Sequence, residues 1–98
     1  MKQLHQLKEK KSALIKAPEN EVIYREIGEL LHKQTHYEKA IRSFLCALNV
    51  NVNDDASHCS LGLTYHNLGA HENALKHYKE AVRLNPSNAF AHYYIGFI

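Results

Sequence analysis

Histidine is the side chain in this sequence with the widest chemistry, because it binds metal ions and transfers protons near neutral pH. The chain has eight histidines and two cysteines in 98 residues. His32 and His36 are four residues apart, but His36 falls in a predicted turn, so the two do not share a helical face. His58 and His66 are eight residues apart, about 12 Å along a helix and too far for one metal ion. The spacing therefore predicts no metal site and no cofactor.

A thiol–imidazole pair is a second chemistry that these residue types allow. Cys59 follows His58 on one predicted helix. Asp54 and Asp55 come shortly before it, and their negative charge disfavours the thiolate that a nucleophilic cysteine needs. No glycine-rich phosphate loop or spaced pair of carboxylates accompanies the pair. We therefore predict that the protein is not an enzyme, and that Cys46 belongs to the core.

Positive charge is concentrated at the start of the chain. The net charge is +2, and residues 1–16 contain five lysines and one acidic residue, against seven basic and nine acidic residues in the remainder. Such lysines can contact phosphates or an anionic membrane. The leucines at positions 4, 7 and 14 instead indicate an amphipathic helix whose lysines face water. We predict no nucleic-acid or membrane partner and, with no long apolar run and no cysteine framework, a cytoplasmic location.

The elements that position these residues repeat with a period of 34 residues. Each period pairs an aliphatic residue with glycine and then places an aromatic residue between two alanines. In residues 55–88 the positions are Leu61, Gly62, Tyr65, Ala74, Tyr78, Ala81 and Pro86. In residues 21–54 they are Ile27, Gly28, Leu31, Ala40, Phe44, Ala47 and Val52, the last standing where proline is expected. Gly62 and Ala74 are predicted to let the two helices of a hairpin approach closely. The pattern resembles the tetratricopeptide repeat, a helix–turn–helix unit of about 34 residues.

The resemblance implies an all-α fold, a superhelix of stacked hairpins with a concave groove. We predict one domain over residues 1–98, with full repeats at 21–54 and 55–88. Residues 1–20 are predicted to form an N-terminal helix or a degenerate half-repeat, and residues 89–98 the first helix of a truncated repeat. The predicted helices are 2–16, 20–34, 37–49, 54–68, 71–84 and 88–98.

In this family the first helix of each hairpin lines the groove, where a partner protein binds. The groove positions implied by the resemblance are Val22, Arg25, Glu29, His32, Lys33, Ala56, Cys59, Leu63, His66, Asn67, Phe90, Tyr93 and Phe97. Some family members grip the acidic C-termini of heat-shock chaperones through a clamp of Lys, Asn and Arg side chains. The corresponding positions here are Arg25, Glu29, Ser60, Phe90 and Tyr94, and only Arg25 keeps the charge. The resemblance therefore predicts that such peptides do not bind.

The function implied is a protein–protein interaction module that binds a peptide or helix of a partner in the groove. One alternative is a substrate-presenting arm of a larger enzyme such as a glycosyltransferase, which would use groove asparagines, and only Asn67 fits. Another is self-association, because aromatic residues crowd onto about three turns in residues 89–98. Two copies would then pair through this helix as a homodimer, or the chain would be a piece of a longer array.

Overall fold

The computed structural model describes the backbone of residues 2–16 and 20–97, and the side chains of residues 5–13 and 20–96. These residues form six α-helices and no strand. The helices are α1 (Lys2–Lys16), α2 (Glu21–Lys33), α3 (Tyr37–Val50), α4 (Asp55–Asn67), α5 (His71–Leu84) and α6 (Ala89–Phe97). The predicted all-α fold is confirmed, and each helix ends within one residue of its predicted end. None of the six is both long enough and apolar enough to cross a lipid bilayer.

The helices stack in chain order. α2 packs on α3 and α4 packs on α5, so each pair forms a hairpin, and α3 and α4 join the two hairpins. α1 packs on α2, and α6 packs on α5. The result measures 37 × 25 × 18 Å. Of the predicted apolar stripe on α1, Leu7 is buried, and the side chains of Leu4 and Leu14 lie outside the described residues.

Asparagine side chains cap the N-termini of two of the helices. The Asn20 Oδ1 atom accepts from the backbone N–H groups of Val22 at 3.0 Å and Ile23 at 3.2 Å, which begins α2. The Asn88 Oδ1 atom accepts from the N–H group of Ala91 at 2.9 Å, which begins α6. Each bond satisfies a backbone donor that has no partner inside its helix.

Asparagines also end α3 and α5. The Asn51 Oδ1 atom accepts from the N–H group of Asn53, and the Asn85 Oδ1 atom accepts from that of Ser87, both at 3.1 Å. The two residues have nearly equal φ angles, −141° and −138°. Because the asparagine turn is the same in both repeats, α3 ends at the position equivalent to the end of α5, even though Val52 stands where the second repeat has proline.

The turn inside each hairpin needs a left-handed residue. Gly69 has a φ of 79°, and Thr35, one period earlier, has a φ of 62°. The N–H group of His36 donates to the carbonyl of Leu31 at 2.9 Å across the turn, and the same bond recurs 34 residues later. Glycine adopts this conformation without cost, whereas a β-branched residue is strained in it.

Glycine and an aromatic ring interlock at the centre of each hairpin. A Cβ atom on Gly28 would lie 2.5 Å from Cε1 of Phe44, and one on Gly62 would lie 2.6 Å from Cε1 of Tyr78. Both rings are fully buried, as is Ala74. The space at Gly62 is therefore filled by the Tyr78 ring, which modifies the prediction that Gly62 serves a close approach of the two helices.

The core divides into two clusters. The first contains Leu7, Ile27, Leu30, Leu31, Ala40, Phe44 and Leu61, and the second contains Ala74, Tyr78, Ala81 and Ala91. The prediction that Cys46 belongs to the core is wrong, because its side chain is exposed. On α3 the buried residues are Ala40, Phe44 and Ala47, and Cys46 is turned about 100° away from Ala47 around the helix.

A candidate partner-binding groove along α2 and α4

The face shared by α2 and α4 carries an open depression of about 270 Å³. Its lining comprises Glu29, His32 and Lys33 from α2, Ser60 and Leu63 from α4, and Phe44. Four of the predicted groove residues are thus brought together, namely Glu29, His32, Lys33 and Leu63. Glu29 and Lys33 are exposed, whereas His32 and Leu63 are half-buried. The depression therefore offers an apolar wall, a hydrogen-bonded imidazole and one charge of each sign.

The proton on His32 can be placed from its hydrogen bonds. The Thr64 hydroxyl donates to the carbonyl of Ser60 at 2.8 Å, so its oxygen can only accept from Nδ1 of His32, 2.9 Å away. The Asn67 side-chain amide donates to Nε2 of His32 at 3.1 Å. Burial lowers the pKa of His32. His32 is therefore neutral at pH 7 with its proton on Nδ1, and it links the two repeats without adding charge to the groove.

Arg25, another predicted groove residue, forms an ion pair that joins α2 to Asp54, the residue just before α4. Its Nη1 atom lies 2.8 Å from Oδ2 of Asp54, and its Nε atom lies 3.9 Å from Oε1 of Glu29. Asp54 is only 8% exposed and also accepts from the Ser57 hydroxyl at 2.6 Å. A charge-assisted bond to a buried carboxylate compensates the guanidinium. Arg25 consequently presents little free positive charge to the groove.

Three predicted residues of α4 have different surroundings. Cys59 is half-buried and packs against the second core cluster. Burial, and secondly the charge of Asp55, raises the pKa of the Cys59 thiol to about 11, which agrees in direction with the predicted loss of thiolate. His66 is half-buried with its ring edge-on to that of His71, 5.1 Å between centroids. Asn67 is exposed and bonded to His32 as described.

Aromatic side chains are exposed on α6. Phe90 is 69% exposed and Tyr93 is 64% exposed. The Tyr93 ring lies edge-on to Tyr94 at 5.2 Å, and Tyr94 stacks on the buried Tyr78 ring at 5.3 Å. Phe97, also predicted in the groove, has its side chain outside the described residues. Phe90 and Tyr93 thus give α6 an exposed aromatic surface.

Two histidines of the second repeat face each other outside this depression. His58 Nε2 lies 3.3 Å from the carbonyl of Val52, so it carries the proton and donates. His58 Nδ1 then accepts from Nδ1 of His77 at 3.2 Å, and the His77 ring stacks on Tyr65 at 5.6 Å. Burial, then the charges of His58 and Lys76, lowers the pKa of His77 to about 4. His77 is therefore packed as a neutral ring. Within the described side chains, no group of three or more His, Cys, Asp or Glu is placed to hold a metal ion.

The bonds between the repeats depend on residues that sequence analysis did not assign to the site. Thr64 is fully buried, and Asp54 is nearly so. A buried threonine one helical turn after Ser60 bonds to its carbonyl, which is a local pattern that sequence alone does not distinguish from an exposed threonine. Asp54 at the start of α4 reads in the sequence as a loop or cap residue. Only the stacking of the hairpins brings Asp54 to Arg25.

Comparison with known proteins identifies the second predicted repeat, residues 55–88, as a tetratricopeptide repeat. The tetratricopeptide repeat family model matches residues 56–88. The human Protein O-mannosyl-transferase TMTC3 is 32% identical over 75 residues, which is 76% of this chain. Superkiller protein 3 of Saccharomyces cerevisiae is 34% identical over 71 residues, or 72% of this chain. The chain spans only 8% of the length of the first relative and 5% of the second.

Solved structures share the fold at low sequence identity. The first TPR of Spaghetti (RPAP3), bound to the HSP90 peptide SRMEEVD, superposes with a TM-score of 0.93 at 18% identity, covering 98% of this chain and 76% of that one. MamA superposes with a TM-score of 0.87 at 21% identity, covering 93% of this chain and 53% of that one. Residues 56–88 are therefore a tetratricopeptide repeat, and the chain as a whole has the fold of tetratricopeptide repeat proteins.

Proposed function

We propose that this chain is a non-enzymatic interaction module that binds a peptide or short helix of a partner protein along α2, α4 and α6. The tetratricopeptide fold generally serves protein–protein interaction. The observation that carries the proposal is the open depression of about 270 Å³ between α2 and α4. Its charged residues Glu29 and Lys33 are exposed and Leu63 is half-buried, an arrangement that suits one apolar side chain of a ligand.

The proposed ligand is not strongly charged. His32 is neutral, Arg25 is compensated by Asp54, and the exposed Glu29 and Lys33 carry opposite charges. Electrostatic attraction for a multiply charged peptide is therefore weak in this groove. At α6 the exposed rings of Phe90 and Tyr93 offer further contact area, and exposed aromatic residues are common anchors in interfaces.

The groove is tested by affinity purification with paired variants. Leu63→Glu places a charge in the wall of the depression, and Tyr93→Ala removes an exposed ring. The double variant is expected to lose proteins that the unchanged chain retains. Lys76→Ala, an exposed position on α5, serves as the matched control and is expected to retain them. If the double variant captures the same proteins as the control, the groove is not the binding surface.

Acidic C-terminal peptides are proposed not to bind in this groove, although the structure of Spaghetti (RPAP3) holds one. Arg25 is engaged by Asp54, and Glu29 stands beside it where it would repel a carboxylate. The peptide SRMEEVD titrated by calorimetry is expected to show no binding that depends on Arg25. Micromolar affinity that disappears in Arg25→Ala and persists in Lys76→Ala would contradict this.

A second candidate function is that of a substrate-presenting segment in a larger enzyme. It is favoured by the 32% identity to human Protein O-mannosyl-transferase TMTC3, of which this chain would match one small part. Against it, Asn67 is the only asparagine among the predicted groove residues. Binding of an unmodified peptide with acceptor serine and threonine hydroxyls that is lost in Asn67→Ala, and kept in the control Asn73→Ala on α5, would favour this candidate over the first.

Self-association through residues 89–98 is also proposed, because Phe90 and Tyr93 are largely exposed on α6. Sedimentation equilibrium is expected to show a dimer whose dissociation constant rises in Tyr93→Ala. A mass that stays monomeric at high concentration would reject the pairing and leave the groove proposal untouched. The cytoplasm, inferred from the two free cysteines, stays a prediction.

A further inference from the structure

A second cavity lies on the opposite side of α2 from the groove. It is open, holds about 570 Å³, and lies between α1 and α3. On α2 it is lined by residues that include Tyr24, Ile27 and Leu31. At about 100° per residue these positions point away from Arg25 and Glu29, which belong to the groove. The two surfaces are therefore separate, and a ligand in one does not occupy the other.

The rim of this cavity is cationic. Lys11 on α1 and Lys39 and Arg42 on α3 line it together with His36, and no carboxylate is among its described lining residues. All three permanent cations are exposed, and none forms an ion pair with another described residue. Lys10, on the same helix as Lys11, differs because it pairs with Glu26. Uncompensated like charges around one opening repel each other and raise its affinity for an anion.

The interior of the cavity is apolar. Leu7 and Leu31 are 7% exposed and Ile27 is 4% exposed, and all three line it. The same arrangement does not recur in the second repeat. One period after Lys39 stands Asn73, and one period after Cys46, which also lines the cavity, stands Glu80. The cationic rim over an apolar interior is therefore particular to the α1–α3 side and is not a demand of the fold.

We propose that the α1–α3 cavity binds an internal acidic segment of a partner protein, with one apolar side chain seated between the cationic residues. Carboxylates would meet Lys39, Arg42 and Lys11, and the apolar side chain would contact Leu7 and Ile27. A nucleic acid fits less well, because single strands bind through exposed aromatic platforms. Among the described lining residues the one Phe, Tyr or Trp is Tyr24, and it is half-buried. The cations also surround one opening and do not form a track along the surface.

The probe is the peptide Asp-Glu-Phe-Glu-Asp, labelled with fluorescein at its N-terminus and amidated at its C-terminus, so that it has no terminal carboxylate. Fluorescence anisotropy at low salt is expected to show saturable binding. The variant Lys39→Glu/Arg42→Glu is expected to weaken it by about tenfold. Lys76→Glu/Lys79→Glu makes the same change at the same spacing on exposed positions of α5 and is expected to leave it unchanged. A peptide with Ala in place of Phe is expected to bind about tenfold more weakly.

Cys46 gives an independent measure of where the probe binds, because it lines the cavity and is exposed. Bound peptide is expected to slow the alkylation of Cys46 by iodoacetamide. Cys59, half-buried and with a raised pKa, is the internal reference and is expected to react slowly with or without peptide.

The proposal would be overturned if the Lys39→Glu/Arg42→Glu variant bound the peptide as tightly as its control, or if bound peptide did not slow the alkylation of Cys46. It would also be overturned if no binding were seen at about millimolar peptide. A fall in affinity in Lys33→Glu alone would place the peptide in the groove, which overturns the cavity site and also the proposal that the groove ligand is not strongly charged. Binding of an oligothymidylate without binding of the peptide would likewise overturn it in favour of nucleic acid.

Discussion

Replacing Gly62 with alanine tests the interlocking of glycine and aromatic ring that centres each hairpin. The added Cβ atom would lie 2.6, 2.7 and 2.9 Å from three carbons of the Tyr78 ring. Ordinary contacts begin at about 3.4 Å, so the ring has to move by close to 1 Å. It has no free space to do so, because Tyr78 is fully buried and stacks on Tyr94.

The magnitude follows from two opposing effects. Overpacking a filled core costs about 1–3 kcal/mol, and occasionally more. Alanine in place of glycine inside a helix stabilises it by about 1 kcal/mol. Because the clash involves three ring atoms, we expect overpacking to dominate and the free energy of unfolding to fall by about 1–2 kcal/mol. For a chain of this size that lowers the melting temperature by roughly 4–16 °C.

Urea denaturation followed by circular dichroism measures the loss, and the chain offers a matched control. Gly96 is also in a helix, but a Cβ atom there would meet nothing within 4 Å. Gly96→Ala is therefore expected to be neutral or slightly stabilising. In a Tyr78→Leu background the cost of Gly62→Ala is expected to shrink, since the clashing ring is gone. A Gly62→Ala protein as stable as the unchanged one, or a cost that persists without the ring, would refute the reasoning.

Three further changes have expected outcomes. Tyr78→Phe is expected to raise the unfolding free energy by about 1 kcal/mol, because the buried hydroxyl has no hydrogen-bond partner among the described residues and Phe44 fills the equivalent site; a less stable variant in urea denaturation would show that the hydroxyl is paired. Thr35→Gly is expected to raise the free energy of unfolding by about 1 kcal/mol, because Thr35 adopts the positive φ that Gly69 adopts one period later. An unchanged midpoint of urea denaturation would argue against strain at Thr35. In the folded protein the pKa of His77 is lowered to about 4, so the unfolded chain binds the proton more readily. The free energy of unfolding is therefore expected to fall as the pH drops from about 6.5 to 4. His77→Ser should reduce this dependence of the melting temperature on pH, and an unchanged dependence would contradict the lowered pKa of His77.

The sequence predicts the fold well because packing dictates both the residue types and their spacing. Gly28 and Gly62 each need an aromatic ring 16 residues later, and the sequence supplies Phe44 and Tyr78. Helix ends follow from local asparagine bonds. Thr35 was missed because threonine rarely adopts a positive φ, so only its alignment with Gly69 reveals the turn.

The site was less predictable than the fold. The resemblance to the tetratricopeptide repeat implied a groove that includes Glu29, Lys33 and Leu63, and these three residues line one depression. The sequence did not reveal that Arg25 forms an ion pair with Asp54, because the two residues are 29 positions apart and meet only when the hairpins are stacked. Cys46 was misplaced because sequence adjacency to a buried alanine says little when each residue turns the helix by about 100°.

The Arg25–Asp54 pair also affects how the two repeats unfold. In stacked repeats, the folding of one repeat is coupled to that of the next only through the interface between them. If α2 unravels, Asp54 keeps its place at the start of α4 but loses the guanidinium that offsets its desolvation. The first turn of α4 is weakened at the same moment. We therefore expect amide protons in the first turn of α4 to exchange with solvent in step with those of α2, and the two hairpins to open as one cooperative unit, although most of the contact between them is made by α3 and α4.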